Sequence, residues 1–252
     1  MSSSNQLFNF LLRLADTNLI LAQRLCEWTG HGPFLEEDLA LSNIALDLLG
    51  TSRSLYEYAA KVEGKNRTED DLAFLRGERE FLNPLICELP KGDYAFTIAR
   101  QFLIDAYQVP FYAELSKSKD DTLAGIASKA LKESSYHLRH TASWMERFGL
   151  GTTESHQRLQ SAMDELWRFT DDIFSTPDGY DALVLSGIAP EMSSVKLAWN
   201  KEVHQTLLVS TIRLQEKIFM QHGSLKGLHT EHLGYLLTEM QYLQRSFPGA
   251  RW

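Results

Sequence analysis

Apolar residues recur along most of this chain at helical intervals. Leu7, Leu11, Leu14, Leu21 and Leu25 step by four, three, seven and four, with Asn18 interrupting the seam, and predict a first long helix. Gly30-His31-Gly32-Pro33 should stop it, because Gly admits left-handed dihedrals and Pro cannot continue the hydrogen-bond ladder. Leu41, Ile44, Leu48, Leu55 and Ala59 give a second helix, from about Leu35 to Val62, ending at Gly64. Residues 65–92 read as a connection with short helical pieces, punctuated by Asn83-Pro84 and Pro90-Lys91-Gly92.

A third long helix is expected from an N-cap at Asp93 to about Lys117. Its row is Ile98, Phe102, Asp105, Val109 and Tyr112, and Pro110 predicts a kink. Asp120-Asp121 should cap a fourth helix that reaches Phe148 and closes at Gly149 and Gly151. At about 1.5 Å per residue, four such helices are long enough to bury a continuous core. A fifth helix is expected over His156–Phe174, then a turn at Thr176-Pro177-Asp178-Gly179 and an irregular stretch over 180–192. Two more helices should cover Ser194 to about Met220 and Thr230–Ser246. No repeat or composition shift forces a boundary, so the pattern favours one all-α domain over residues 1–252, a long-helix bundle with additional C-terminal helices.

Such bundles often house a carboxylate-bridged di-iron site, built from single carboxylates on two helices and a Glu-x-x-His pair on each of two others. Across this chain no His follows an Asp or Glu by three positions. The nearest approach is Glu133 with His137, four apart on the fourth helix, where Ser134 occupies the position a shared ligand would need. Asp47 and Asp105 are carboxylates in strongly apolar helical segments. Left unpaired in a core, either would cost several kcal/mol. Arg13, Arg24, Arg53, Arg100 and Arg139 are available to pair with them in a buried network. No catalytic, cofactor-binding or metal-binding residue is expected. Asp47, Asp105, Glu133 and His137 are the candidates for vestigial metal ligands.

Other constellations weigh less. His229-Thr230-Glu231-His232 has same-face spacing but no second cluster to complete four ligands, so helix capping and surface packing are expected. The doublets Asp70-Asp71, Asp120-Asp121 and Asp171-Asp172 suit solvated first turns of helices. No Gly-rich phosphate loop, Gly-x-Ser-x-Gly elbow or Cys-x-x-Cys pair occurs. Near the C-terminus, Met240, Tyr242, Arg245 and Trp252 are side-chain types that protein interfaces concentrate. A net charge of −8 and the lack of a Lys/Arg run argue against nucleic acid or an anionic membrane as partner. No eighteen-residue apolar run suggests a membrane span, and Arg13 and Asp16 interrupt the only signal-peptide-like stretch. With only Cys26 and Cys87, a reduced, cytoplasmic setting is the simplest expectation.

Three sets of residues carry a family resemblance. They are Leu21–Trp28 with Gly30–Pro33 and Asp38–Gly50; Thr97–Phe102 with Lys132-Glu133, Tyr136–Arg139 and Leu166–Thr170; and Lys226–Gly234 with Glu239–Arg245. In this order and spacing they resemble the PaaC family, the structural subunits of the phenylacetyl-CoA epoxidase. The resemblance implies a ferritin-like fold and membership of a multicomponent monooxygenase that epoxidises the aromatic ring of phenylacetyl-CoA in bacterial phenylacetate catabolism. In that complex a catalytic sister of similar fold is the di-iron bearer, and the PaaC chain is its structural partner. In register with the sister, its two Glu-x-x-His pairs fall here on Leu49 and Ser52, and on Ser134 and His137. The implied partners are the catalytic sister, further members of the complex and the reductase, with a homodimer when the chain is alone. No cofactor is implied in this chain, the di-iron being in the partner. The competing reading is a ferritin-like oxidoreductase with its own unconventional di-iron site at Asp47, Asp105, Glu133 and His137.

Overall fold

A computed structural model of the protein describes residues 3–215 and 217–250. Among them the regular structure is entirely helical. In chain order the α-helices are α1 (Ser3–Cys26), α2 (Leu35–Glu63), α3 (Glu69–Phe74), α4 (Leu85–Glu88), α5 (Tyr94–Leu115), α6 (Asp121–Leu150), α7 (Thr153–Leu166), α8 (Thr170–Ile173), α9 (Tyr180–Leu185), α10 (Met192–Val209) and α11 (Glu231–Ser246). The four long predicted helices are present with their signals in use. Asp93 accepts from the Phe96 N–H and Asp120 from the Leu123 N–H, both at 2.9 Å. Gly64 ends α2 at φ 69°, a left-handed conformation that costs a Cβ-free residue little. Pro110 lies inside α5.

The chain divides into two compact units. The first comprises the chain through Pro90, Ser175–Leu183 and everything from Gly223; the second comprises Lys91–Phe174 and Val184–His222. In the first unit α1 and α2 form an antiparallel hairpin, with Arg67 over Phe8 at one end and Ser42 near Thr29 at the other. Helices α3, α4 and α11 pack around it. Its core includes Leu11, Ile20, Leu21, Leu25, Leu41, Leu55 and Phe81, all essentially inaccessible to solvent. In the second unit α5 and α6 form another antiparallel hairpin: Tyr94 meets Trp144 edge-on, and Asp105 meets Thr141. Helices α7 and α10 pack on it to complete a bundle.

Three predicted elements differ. The fifth helix breaks after Leu166, where Thr170 Oγ1 donates to the Trp167 carbonyl at 2.8 Å, an offer from a side chain that competes with the helical ladder. Trp167 stacks on Trp199 with ring centroids 5.6 Å apart. Part of 180–192, expected to be irregular, is the short helix α9. The helix expected to reach Met220 ends at Val209, because Thr211 takes φ 58°. The Thr211 N–H then bonds the Leu208 carbonyl and the Ile212 N–H the Leu207 carbonyl, a Schellman stop with threonine in the usual glycine position. Gly149 lies so close beneath this turn that an added Cβ would come within 2.1 Å of the Ser210 carbonyl oxygen.

A β-branched residue in the left-handed region is strained by about 1–2 kcal/mol. Thr211→Gly should therefore raise stability by roughly 0.5–1 kcal/mol after the entropy of the more flexible unfolded chain is subtracted. Thermal denaturation of the two proteins checks this. Gly149→Ala should be destabilising in the same assay, since the clash is with backbone.

Candidate functional site

The polar residues most deeply buried in each unit form hydrogen-bonded clusters. In the second unit, Asp105 on α5 is fully buried among apolar neighbours. Gln101, one turn earlier, donates from Nε2 to its Oδ1 at 2.7 Å, and Thr141 on α6 meets its Oδ2 at 3.0 Å. Both partners are uncharged, so the expected arginine is not what holds Asp105. Burial pushes its carboxyl up to about 8, against the opposing pull of these two hydrogen bonds. Thr141 Oγ1 also lies 3.0 Å from the His137 carbonyl. With one hydrogen to give, it serves both neighbours when the carboxyl supplies its own proton.

Further along the same helix pair, Ser134 Oγ donates to Gln108 Oε1 at 3.3 Å, and both side chains are buried. His137 is buried on the same face of α6. Glu133 is half-buried, and Lys129 pairs with it at 3.4 Å. Of the candidate ligands, Asp105, Glu133 and His137 thus belong to the second unit. Asp47 belongs to the first, where it is half-buried on α2 rather than in the core. Of the other two register positions, Leu49 is half-buried and Ser52 is buried, donating to the Ala15 carbonyl at 2.9 Å. A carboxylate-bridged metal centre needs ionised oxygen donors that converge with imidazole. A lysine-paired Glu133 and two serines bonded elsewhere do not fit that donor set. Among the described residues no group of three or more His, Cys, Asp or Glu side chains is placed to hold a metal ion.

The first unit holds two clusters that the sequence reading missed. Asp16 on α1 is buried and receives both terminal nitrogens of Arg76, which follows α3. Tyr56 on α2 donates to the same carboxylate, and the Leu82 N–H reaches it at 2.8 Å. The guanidinium lies 4.3 Å from the ring centroid of Phe81. Burial opposes the charge of Arg76, but Asp16 outweighs it, and the group stays a cation.

The second cluster centres on Glu88, fully buried at the end of α4. It accepts from the Thr230 N–H at 2.6 Å, from Asn83 Nδ2 at 3.2 Å and from His229 Nδ1 at 3.0 Å. His229 Nε2 lies 2.9 Å from the Phe81 carbonyl, so both ring nitrogens face acceptors. Burial lowers the imidazole pKa, but the hydrogen bond and charge of Glu88 raise it further, for a net upward shift. His229 is therefore a buried anchor for the start of α11, more than the surface cap expected. Arg24 closes the cluster through the Glu88 carbonyl at 2.7 Å. Of the C-terminal interface candidates, Arg245 is engaged within the unit, donating to the carbonyls of Phe74, Leu75 and Arg76, while Tyr242 is exposed and Met240 half-buried. Trp252 lies outside the described residues.

Long helical hairpins with hydrogen-bonded polar rows inside them define an all-α protein of the long-helix bundle class. The chain belongs to the Phenylacetic acid catabolic protein family, whose model matches residues 1–252. It is 48% identical over 248 residues to the PaaC component of 1,2-phenylacetyl-CoA epoxidase from Escherichia coli (strain K12), a match covering 98% of this chain and 100% of that protein. This is the family the sequence blocks resemble. No helix among the described residues is long and apolar enough to cross a membrane.

Two measurements test the clusters. Asp16→Asn leaves the buried Arg76 guanidinium uncompensated and should cost about 3–5 kcal/mol, read as a drop in Tm of roughly 10 °C. Asp105→Asn keeps the shape but removes the titration. Because the carboxyl is raised in the folded state, its contribution is complete below the unfolded value near 3.8 and is lost as pH rises towards about 8. The variant's Tm relative to the parent should therefore climb between pH 5 and pH 8 and then level off. A pH-independent difference would contradict this protonation assignment.

Proposed function

We propose that this chain is a non-catalytic structural subunit of a multicomponent di-iron monooxygenase, a phenylacetyl-CoA epoxidase of bacterial phenylacetate catabolism. In this reading it packs against the di-iron catalytic partner and stabilises it. The observation that carries the reading is the 48% identity to an epoxidase PaaC component along the full length of both chains. The polar rows support it: the positions matching the sister's ligand pairs hold Leu49, Ser52, Ser134 and His137, and both serines are bonded within the protein. Asp47, Asp105, Glu133 and His137 are then relics of a metal-bearing ancestor, with Asp105 kept as a neutral hydrogen-bonding group. Such a chain contributes no chemical step. Its work is association, and obligate complexes of this kind bury about 2,000 Å² or more.

Co-expression with the di-iron partner of the same epoxidase tests the reading. The two should co-purify, the catalytic partner should melt at a lower temperature without this chain, and the chain purified alone from iron-replete cells should hold far less iron than one atom per molecule. About two iron atoms per isolated chain would instead support a di-iron site of its own.

A further inference from the structure

The last stretch of the first unit is a helix hung on a hinge. Gly223 and Gly227 take φ 151° and 66° and bracket a single turn over Ser224–Lys226. Arg13 donates to Ser224 Oγ at 2.7 Å and fixes the near side of that turn. Beyond Gly227 the chain runs through His229 into α11, which buries Leu233, Leu236 and Leu237. The far half of α11 is tied by an amide and a guanidinium that donate to backbone. Gln241 Nε2 meets the Ala73 and Arg76 carbonyls at 3.2 and 3.1 Å, and Arg245 meets those of Phe74, Leu75 and Arg76. The near half is tied to Glu88, through a group that titrates.

His229 faces two acceptors: Glu88 Oε2, 3.0 Å from Nδ1, and the Phe81 carbonyl, 2.9 Å from Nε2. A neutral imidazole has one N–H. The carbonyl can only accept, so Nε2 holds that hydrogen, and a second proton must lie between Nδ1 and the carboxyl. Without it a nitrogen lone pair faces a carboxylate where neither side chain reaches water. The charged and titratable side chains around the ring are Cys87 and Glu88 of α4, Glu78 and Arg79 ahead of Phe81, Arg13 and Arg24 of α1, and Glu231 and His232 of α11. The charge of Glu78 favours the proton as that of Glu88 does. Arg24, bonded to the Glu88 carbonyl, opposes it but is itself answered by Glu27 at 2.6 Å.

We propose that the segment from Gly227 through α11 is a pH-sensitive strap, latched by a doubly protonated His229 and released about the Gly223–Gly227 hinge when that ring loses a proton. Burial works against the charged ring, and the hydrogen bond and charge of Glu88 outweigh it, so the closed ring stays above its ordinary 6.5. In the open strap the ring is hydrated and returns to 6.5. The latch is therefore complete below 6.5 and is lost as pH rises through the closed-state value. Between the two the opening equilibrium rises about tenfold per pH unit, one proton being released.

Hydrogen exchange of the full-length chain from pH 6 to pH 9, corrected for intrinsic rates, tests this. Protection of the amides of residues 231–237 should fall about tenfold per pH unit above 6.5 and then level off, while the buried amides of α1 and α2 keep theirs. His229→Gln should give a flat profile, and His232→Gln, the control for the other imidazole, should keep the slope. Flat protection in the parent, or a slope that survives in His229→Gln, overturns the proposal. So does a parallel loss in α1 and α2, which would make the proton a determinant of the whole unit and leave no strap. If His229→Gln does not fold, ring-nitrogen NMR of the parent decides. Titration of His229 above 6.5, with both nitrogens protonated below it, supports the latch; titration at or below 6.5 sinks it.

Discussion

The first unit depends on a charge that the protein keeps away from water. Asp16 and Arg76 are buried together, and their attraction is useful only because every lone pair and N–H around them is answered: by Tyr56, by the Leu82 amide, and by the Glu80 carbonyl at 2.8 Å from the guanidinium. Hydrophobic burial would hold α1 against α2 in several registers, since leucines slide past one another at small cost. A bidentate ion pair with a third partner tolerates one. The node thus fixes α1, α2 and the segment after α3 with respect to each other, and the apolar core fills in around that arrangement.

In the second unit a row of hydrogen-bonding groups without a basic partner lies between α5 and α6. Gln101, Asp105, Gln108, Ser134 and Thr141 are buried side chains on facing helices, and the one acid among them is held in its uncharged form. The row makes the α5–α6 contact direction-specific. Kept neutral, such a row carries little of the desolvation cost that ionised ligands bring to an empty cavity.

How much of this could be read from the sequence varies with the range of the interaction. The four long helices are legible because their signals are local: helical spacing, an Asp at the start of α5 and of α6, Gly64 at the end of α2. The end of α10 is not, because Thr211 in a left-handed conformation contradicts its own propensity, in a turn that sits against Gly149 of α6. The break after Leu166 is marked by a Thr hydroxyl bonded to the backbone, a signal no periodicity carries. Asp105 was legible as a buried acid, yet its partners were not, since a glutamine and a threonine carry no charge to draw attention. Arg76 lies in a connection without periodicity, and Glu88 in a helix of one turn, so neither announced that it was buried. Their partners, Asp16 and His229, are far away in sequence, and no local pattern pairs them.

Glu88 and His229 are separated by 141 residues. During synthesis at about 5–20 residues per second, that distance is on the order of ten seconds. The first unit starts the chain but is completed by its last stretch, whereas the second unit has all its segments once His222 has been made. The ribosome therefore delivers every segment of the second unit before it has delivered every segment of the first. Through that interval the carboxylate of Glu88 stays hydrated, and the site that receives α11 stays open. A chain that stops short of His229 lacks both the imidazole and the Thr230 N–H that answer the buried carboxylate of Glu88.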